Sequence, residues 1–339
     1  METTKKILIT GASGFIGSFL VEGGLERGYE VWAGVRKTSS RRYLKDSRIH
    51  WAELDLEHPE VLREQLAAHR QEHGGWDYIV HCAGVTKCRD KAEFERGNYD
   101  ATRHLVEQLQ ALGMVPLRFV YISSLSIFGP IREQDYSPIR ETDTPRPNTA
   151  YGISKVHSEA FLHSLKGFPW VIFRPTGVYG PREKDYFLMA KSIRNHVDFA
   201  AGFRRQDITF IYISDLVQAV YLGVESPNAV GRAYFVSDGQ VYNSRAFSDL
   251  IRKELGHPWM IRFVCPLPLL KLLCYVAGSL AAACGKTSTL NPDKYRIMKQ
   301  RNWQCDITPL VRELGFRPAY PLERGVKEII AWYKKEGWL

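Results

Sequence analysis

Apolar residues appear along the first half of the chain in two alternating patterns. Short continuous runs at 6–10, 30–35, 78–83, 119–123 and 171–174 predict buried strands. Between them, segments 15–27, 59–69 and 102–112 place apolar residues at the spacing of one helical face. Strand, helix and strand in repetition predict a parallel sheet, because parallel neighbours need a crossover connection. The right-handed crossover rule then predicts an α/β, doubly wound sheet covered on both faces. After Arg174 the alternation breaks into loops rich in Pro and Gly, with further strands expected at 208–213 and 233–237. A last clear helix opens at Thr308-Pro309 and stops before Gly315.

The length of 339 residues fits two domains or one large α/β unit with an appended lobe. Hydrophobic residues at 45% and charged residues at 24% exclude a disordered chain, a collagen-like repeat and a membrane bundle. The formal charge of +9 fits an anionic ligand, an anionic membrane or nucleic acid. The densest basic run, Arg36 to Arg48, is followed by no helix-turn-helix, zinc-finger or aromatic-groove motif, so nucleic acid is not expected. Six cysteines without a CxxC pair, and no apolar core between Met1 and Ile7, predict a reduced, cytoplasmic chain. No Cys or His pair recurs at metal-site spacing, so no metal is expected.

The sharpest local signal follows the first strand, where Thr10 leads into Gly11, Ala12, Ser13, Gly14, Phe15, Ile16 and Gly17. Glycines there permit a tight turn and close approach of the backbone to a pyrophosphate, and the opening helix offers free N–H groups to the anion. The spacing is GxxGxxG rather than GxGxxG. The second strand ends in Val35-Arg36-Lys37-Thr38-Ser39-Ser40, without the acid that holds a ribose 2′-hydroxyl. Cations and hydroxyls stand where a 2′-phosphate would lie, which favours NADP(H) and leaves NAD(H) as the alternative.

A second constellation reads Tyr151-Gly152-Ile153-Ser154-Lys155. On a helix Tyr151 and Lys155 share one face. A phenol with a reference pKa near 10 needs roughly 4 kcal/mol of selective stabilisation to ionise readily at pH 7. An ammonium one turn away, with the positive charge of an oxidised nicotinamide, provides a physical source for it.

With Ser123-Ser124 closing the strand at 119–123, these motifs resemble the extended short-chain dehydrogenase/reductase superfamily, the NAD-dependent epimerase/dehydratase family, over nearly the whole chain. The resemblance implies a Rossmann domain at 1–175 with a returning segment at about 206–237. It also implies a smaller C-terminal substrate lobe from 176–205 and 238–339. By the same resemblance Tyr151 moves the proton, Lys155 binds the nicotinamide ribose and tunes Tyr151, and Ser124 orients the substrate oxygen. Ser123 joins the expected cofactor site. Asp55-Leu56 resembles the family's adenine-contacting segment, and Cys82-Ala83-Gly84 the segment beneath the cofactor. Asn98 resembles the asparagine of the following helix, and Pro175, Thr176 and Val178 fall in the loop that touches the nicotinamide. The stretch Tyr212 to Leu216, with Asp215, looks like a later family motif.

Departures narrow the implied reaction. Sugar-nucleotide 4,6-dehydratases carry an Asp-Glu pair where this chain has Leu125 and Ser126, so dehydration lacks its acid and base. The Val-Arg ending of the second strand looks like dihydroflavonol-reductase and 3β-hydroxysteroid-dehydrogenase-like members. The expected activity is therefore interconversion of a ketone and a secondary alcohol on a lipophilic ring substrate. The alternatives are a nucleotide-sugar 4-epimerase using the same triad and, from another class, a non-catalytic cofactor-sensing or scaffold protein. Arg182, Lys184, Arg204 and Arg205 are the cations available for a sugar nucleotide. Within the apolar tract from Leu267 to Cys284 the longest charge-free run is the thirteen residues 272–284, about 20 Å of helix and too short to span a bilayer, and Pro266, Pro268 and Lys271 interrupt the approach. The tract is expected to pack on the lobe, cover the substrate or touch a membrane surface. A small-molecule substrate and a monomer or homodimer complete the expectation.

Overall fold

Side chains of each apolar run alternate between two cores, as a strand buried on both faces requires. Ile7 and Ile9 enter one core and Leu8 the other; likewise Val120 and Ile122 face one side, Phe119 and Tyr121 the opposite side. The computed structural model describes residues 4–88, 90–284, 288 and 290–339.

The chain runs through β1 (Lys6–Thr10), α1 (Phe15–Glu26), β2 (Glu30–Val35), β3 (His50–Glu53), α2 (Pro59–His73) and β4 (Tyr78–His81). A short α3 (Lys91–Phe94) leads into a π-helical turn at Glu95–Asp100, then α4 (Ala101–Ala111), β5 (Arg118–Ile122), α5 (Ala150–Ser164) and β6 (Trp170–Pro175). There follow β7 (Gly177–Tyr179), α6 (Lys184–Arg194), β8 (Val197–Ala201), β9 (Asp207–Ile208), β10 (Phe210–Tyr212), α7 (Ile213–Glu225) and β11 (Arg232–Val236). The remainder holds β12 (Tyr242–Asn243), α8 (Ala246–Glu254), β13 (Ile261–Cys265), α9 (Leu267–Ala283), α10 (Pro292–Lys299), α11 (Thr308–Leu314) and α12 (Leu322–Lys335).

Seven strands form one parallel sheet in the order β11-β6-β5-β4-β1-β2-β3. The expected α/β doubly wound Rossmann sheet is thus present. The order reverses beside β1, which opens a crevice at the carboxyl ends of the strands. The strand expected at 208–213 is split. Thr209 turns its hydroxyl to the carbonyl of Trp303 at 2.6 Å, β9 pairs with β12, β10 pairs with β7, and Ile213 already begins α7.

Two glycines set the approach of α1 to α7. A Cβ on Gly23 would lie 2.6 Å from Val217 Cγ1, and one on Gly24 would lie 2.6 Å from the Tyr221 hydroxyl. That hydroxyl donates to the carbonyl of Leu20 at 2.6 Å.

Outside the main sheet, β8 and β13 form a two-stranded parallel ribbon carrying α9 and α10. Asp215, expected in a late family motif, is buried on α7 and accepts the N–H groups of Ala319 and Tyr320 at 3.0 and 2.9 Å. It therefore anchors the loop before α12.

Candidate active site

Thr10, Val35, Cys82, Ile122 and Pro175 at or just beyond the carboxyl ends of five adjacent strands line a single cleft of about 580 Å³. At its phosphate end Gly11 has φ of 66°, and a Cβ there would lie 2.7 Å from the backbone nitrogen of Ala83. A side chain on Gly17 would strike the carbonyl of Gly11. Gly14 caps α1 without a side-chain acceptor, and no acid occupies the first turn. The N–H groups opening α1 are consequently available to an anion, and no side chain obstructs close backbone approach. Gly11, Ser13, Gly14, Phe15, Ile16 and Gly17 all line the cleft. These residues fit a dinucleotide pyrophosphate.

At the adenosine end the lining includes Arg36, Ser39, Leu54, Leu56 and Glu57. Ser39 Oγ accepts the Arg36 N–H at 3.0 Å, which curls the loop, and the exposed Arg36 guanidinium stands 3.9 Å from Glu57. Lys37 and Asp55 are not among the lining residues. Lys37 is exposed, while the Asp55 carboxylate accepts the N–H groups of Glu57 and His58 and meets the His58 ring at 3.0 Å. Asp55 thus shapes the entry into α2.

Cys82, Ala83 and Gly84 form the floor, held from below by a buried hydrogen-bond chain. The Ala83 N–H donates to Thr10 Oγ1 at 3.2 Å, and that hydroxyl meets His81 Nδ1 at 2.7 Å. His81 Nε2 meets Thr102 Oγ1 at 3.0 Å, and Thr102 donates to the Asn98 carbonyl at 2.7 Å. Burial first, and then the nearby Lys155, push the His81 pKa down to about 3.

Asn98 sits on the π-helical turn rather than on regular helix. Its amide bonds Val85 on both polar edges, at 2.8 and 3.1 Å, and donates to Ser154 Oγ at 2.9 Å. The wider turn brings Asn98 against α5. A Cβ on Gly84 would lie 2.7 Å from Asn98 Oδ1 and 3.6 Å from Lys155 Nζ, so the floor closes only around a glycine.

Tyr151 and Lys155 rise from one face of α5. Lys155 is buried, donates to the Ile122 carbonyl at 2.8 Å, and holds Nζ 4.6 Å from the Tyr121 ring centroid and 6.0 Å from that of Tyr151. Burial raises the Tyr151 pKa; the Lys155 charge and a hydrogen bond with Ser124 oppose the rise without cancelling it. The phenol is therefore held protonated at neutral pH. Ser124 caps the short turn after β5, where its Oγ accepts the Ser126 N–H at 3.2 Å and the Ser126 hydroxyl at 2.8 Å. Two bonds received leave its own O–H as the group that meets the Tyr151 phenol and that can turn to a substrate oxygen beside it.

Ser123 also lines the cleft, but its hydroxyl donates to the buried carboxylate of Glu159. Arg174 pairs with the same carboxylate at 2.6 Å. This buried ion pair fixes the ends of β5 and β6. Pro175, Thr176 and Val178 complete the lining, and the Thr176 N–H donates to the Val236 carbonyl at 3.1 Å.

Thr10, Glu57, Thr86 and Glu183 also line the cleft without having been assigned a role from the sequence, while Ser39 is the one hydroxyl of the 38–40 run that reaches it. Thr10 had a usable signal, because it stands directly before the glycine turn at Gly11. Glu183, which caps α6 by accepting the Asp185 and Tyr186 N–H groups, had none. No residue from 263–284 lines the cleft, so the expectation of a lid over this site has no counterpart in the lining. Among the described residues no cluster of His, Cys, Asp or Glu could hold a metal ion, and all six cysteines are free thiols.

A doubly wound sheet with this cleft defines a Rossmann-type NAD(P)-dependent oxidoreductase. Residues 7–243 match the NAD dependent epimerase/dehydratase family, and the chain belongs to it. It is 26% identical to a UDP-glucose 4-epimerase of Vibrio cholerae, over 96% of this chain and 94% of that one. It is also 26% identical to a 3-beta-hydroxysteroid dehydrogenase of Mycolicibacterium neoaurum, over 97% of this chain and 91% of the relative. A solved dTDP-glucose 4,6-dehydratase of Bacillus anthracis, in complex with NAD, superimposes with a TM-score of 0.77 at 18% identity, covering 99% of this chain and 98% of that one.

Proposed function

We propose that the protein is an NADP(H)-dependent reductase or dehydrogenase that interconverts a ketone and a secondary alcohol on a largely apolar, steroid- or flavonoid-like ring. The observation that carries this reading is the triad of Ser124, Tyr151 and Lys155 with no Asp or Glu at the two positions that follow Ser124. Leu125 is buried, and Ser126 is bonded to Ser124, where paired carboxylates would be needed to expel water.

Bound NADP(H) would supply or accept the hydride at the carbonyl carbon. Ser124 donates to the substrate oxygen and orients it. Tyr151, a neutral phenol at pH 7 whose pKa burial raises further, gives its proton to the same oxygen as the ketone becomes an alcohol. Lys155, steadied by the Ile122 carbonyl, stabilises the phenolate that results and presents its remaining protons to the ribose hydroxyls. In the oxidative direction the proton moves back.

Arg36 and Ser39 at the adenosine end support NADP(H), because a guanidinium and a hydroxyl suit a 2′-phosphate. Two of the cations that a sugar nucleotide would call on are already engaged, which supports the apolar substrate. Arg182 bonds Ser18 and Glu22 and lies over the Phe19 ring, while Arg205 forms a bidentate pair with Asp207.

The test follows nicotinamide absorbance with NADPH and a panel of steroid ketones, flavonoid-like ketones and sugar nucleotides. Turnover of an apolar ring ketone with stoichiometric NADPH oxidation is expected. Conversion of a sugar nucleotide to its epimer without net NADPH change would overturn the reading.

A further inference from the structure

α9 carries a single charge, Lys271, and is otherwise almost wholly apolar, yet it is buried on only one side. Leu270 and Cys274, one turn apart, pack with Cys265 against Tyr295 and Met298. A second stripe at positions 269, 272, 273, 276 and 280 faces outward, with Leu272 59% and Leu280 62% exposed. A helix of a soluble lobe normally presents polar residues on that side.

The exposed surface continues beyond the helix. Pro266 joins α9 directly to β13, and the ribbon of β8 and β13 turns Phe199 and Phe263 outward, their rings stacked 6.1 Å apart. Gly202 donates to the Cys265 carbonyl at 2.9 Å and packs against Leu267, which seats Phe203, 77% exposed, beside the start of α9. Exposed contiguous apolar surface of this kind marks an interaction site.

Charge selects the occupant. From 255 to 292 the sequence contains no Asp or Glu; Arg262 within it is paired with Asp198 and Asp249, which leaves Lys271 as the cation on α9. Lys271 is exposed on α9 itself, and Arg204, next to Phe203, is exposed with no ion pair among the described residues. A second copy of the chain would bring the same cations face to face. An anionic phospholipid surface would complement them while receiving the apolar stripe. The 17-residue α9 rises about 25 Å, short of the roughly 30 Å hydrocarbon core, and no helix among the described residues is long and apolar enough to cross a membrane.

We propose that the outer face of α9, with the ribbon of β8 and β13, is a docking surface for an anionic phospholipid bilayer, on which α9 lies in the interfacial plane. The proposal is independent of the substrate reading, since none of these residues lines the cleft.

The full chain is to be sedimented with vesicles of phosphatidylcholine alone and of phosphatidylcholine with phosphatidylglycerol. Binding to the phosphatidylglycerol vesicles, weakened by salt, is expected. The double variant Leu272→Glu/Leu280→Glu should lose it, and Lys271→Glu/Arg204→Glu should reduce it by roughly tenfold or more. Thermal unfolding and NADPH binding serve as folding controls, and both should match wild type. Equal sedimentation of wild type and both variants would overturn the proposal. So would a dimer that Leu272→Glu dissolves, seen by light scattering in a protein that ignores vesicles.

Discussion

The carboxylate of Asp293 accepts the backbone N–H of Ala150 at 2.7 Å, one position before Tyr151 on the helix that carries the proposed proton donor. Arg296 holds the other carboxylate oxygen at 2.6 Å. With Thr149 Oγ1 accepting the Gly152 N–H at 3.1 Å, two side chains 144 residues apart in sequence cap one helix end. An acid at a helix N-terminus is favoured both by the free N–H groups and by the helix dipole. Replacing Asp293 by Ala should lower stability by about 1 kcal/mol and reduce kcat while leaving the NADPH dissociation constant unchanged. Urea unfolding and fluorescence titration of NADPH measure the two separately.

Tyr151→Phe removes a hydroxyl and nothing else. NADPH binding should persist, and turnover should fall by a factor on the order of 100 or more, the usual scale of general acid catalysis. Full turnover by this variant would reassign the proton donor.

Arg36→Ala should weaken NADPH binding by about tenfold and leave NADH nearly unaffected, because only the former brings a 2′-phosphate. Arg36 pairs loosely with Glu57 at 3.9 Å, so the substitution disturbs little else. Parallel titrations of both dinucleotides into wild type and variant decide the matter. Equal affinity of wild type for the two would remove the argument for NADP(H).

His81 makes stability depend on pH. Its pKa is depressed to about 3 in the fold, against about 6.5 in an unfolded chain, so the unfolded state binds the extra proton first on acidification. The contribution is present above pH 6.5 and is lost as pH falls toward 3. Between pH 7 and pH 5 the residue should remove about 2 kcal/mol of stability. A His81→Gln variant should show a flatter dependence over that interval in urea unfolding, even though it is less stable overall. An unchanged slope would show that other groups govern acid unfolding.

What the sequence disclosed and what it withheld divides along physical lines. The glycine turn at Gly11 to Gly17 and the Tyr151-Lys155 pair are local patterns, whose geometry is fixed by a few consecutive dihedral angles and one helical turn. The alternation of strands and helices disclosed the sheet for the same reason. By contrast, the Asp293 cap, the Ser123-Glu159-Arg174 cluster and the His81 chain join residues that only the tertiary fold brings together. The π-helical turn under Asn98 adds a residue to a helix without altering its apolar spacing enough to be read. The split of 208–213 arose because two different partner strands claim its two halves. Asp55 kept an acidic side chain in the expected place, but the N–H groups at the entry to α2 compete for it.

The bond from Thr176 to the carbonyl of Val236 has a consequence for how the protein comes into being. β6 and β11 are neighbours in the sheet but 60 residues separate these two positions in the chain. During synthesis Tyr151 and Lys155 emerge well before the strand that seats Pro175 and Thr176 at the rim of the cleft. Parallel pairing between distant segments must await the later one, and domains of this size assemble as their pieces become available. A nascent chain released before Val236 would therefore carry Ser124, Tyr151 and Lys155 beside an unfinished wall. The strand that completes that wall contributes no residue to the cleft lining, yet the seating of Thr176 at its rim waits on that late segment of the chain.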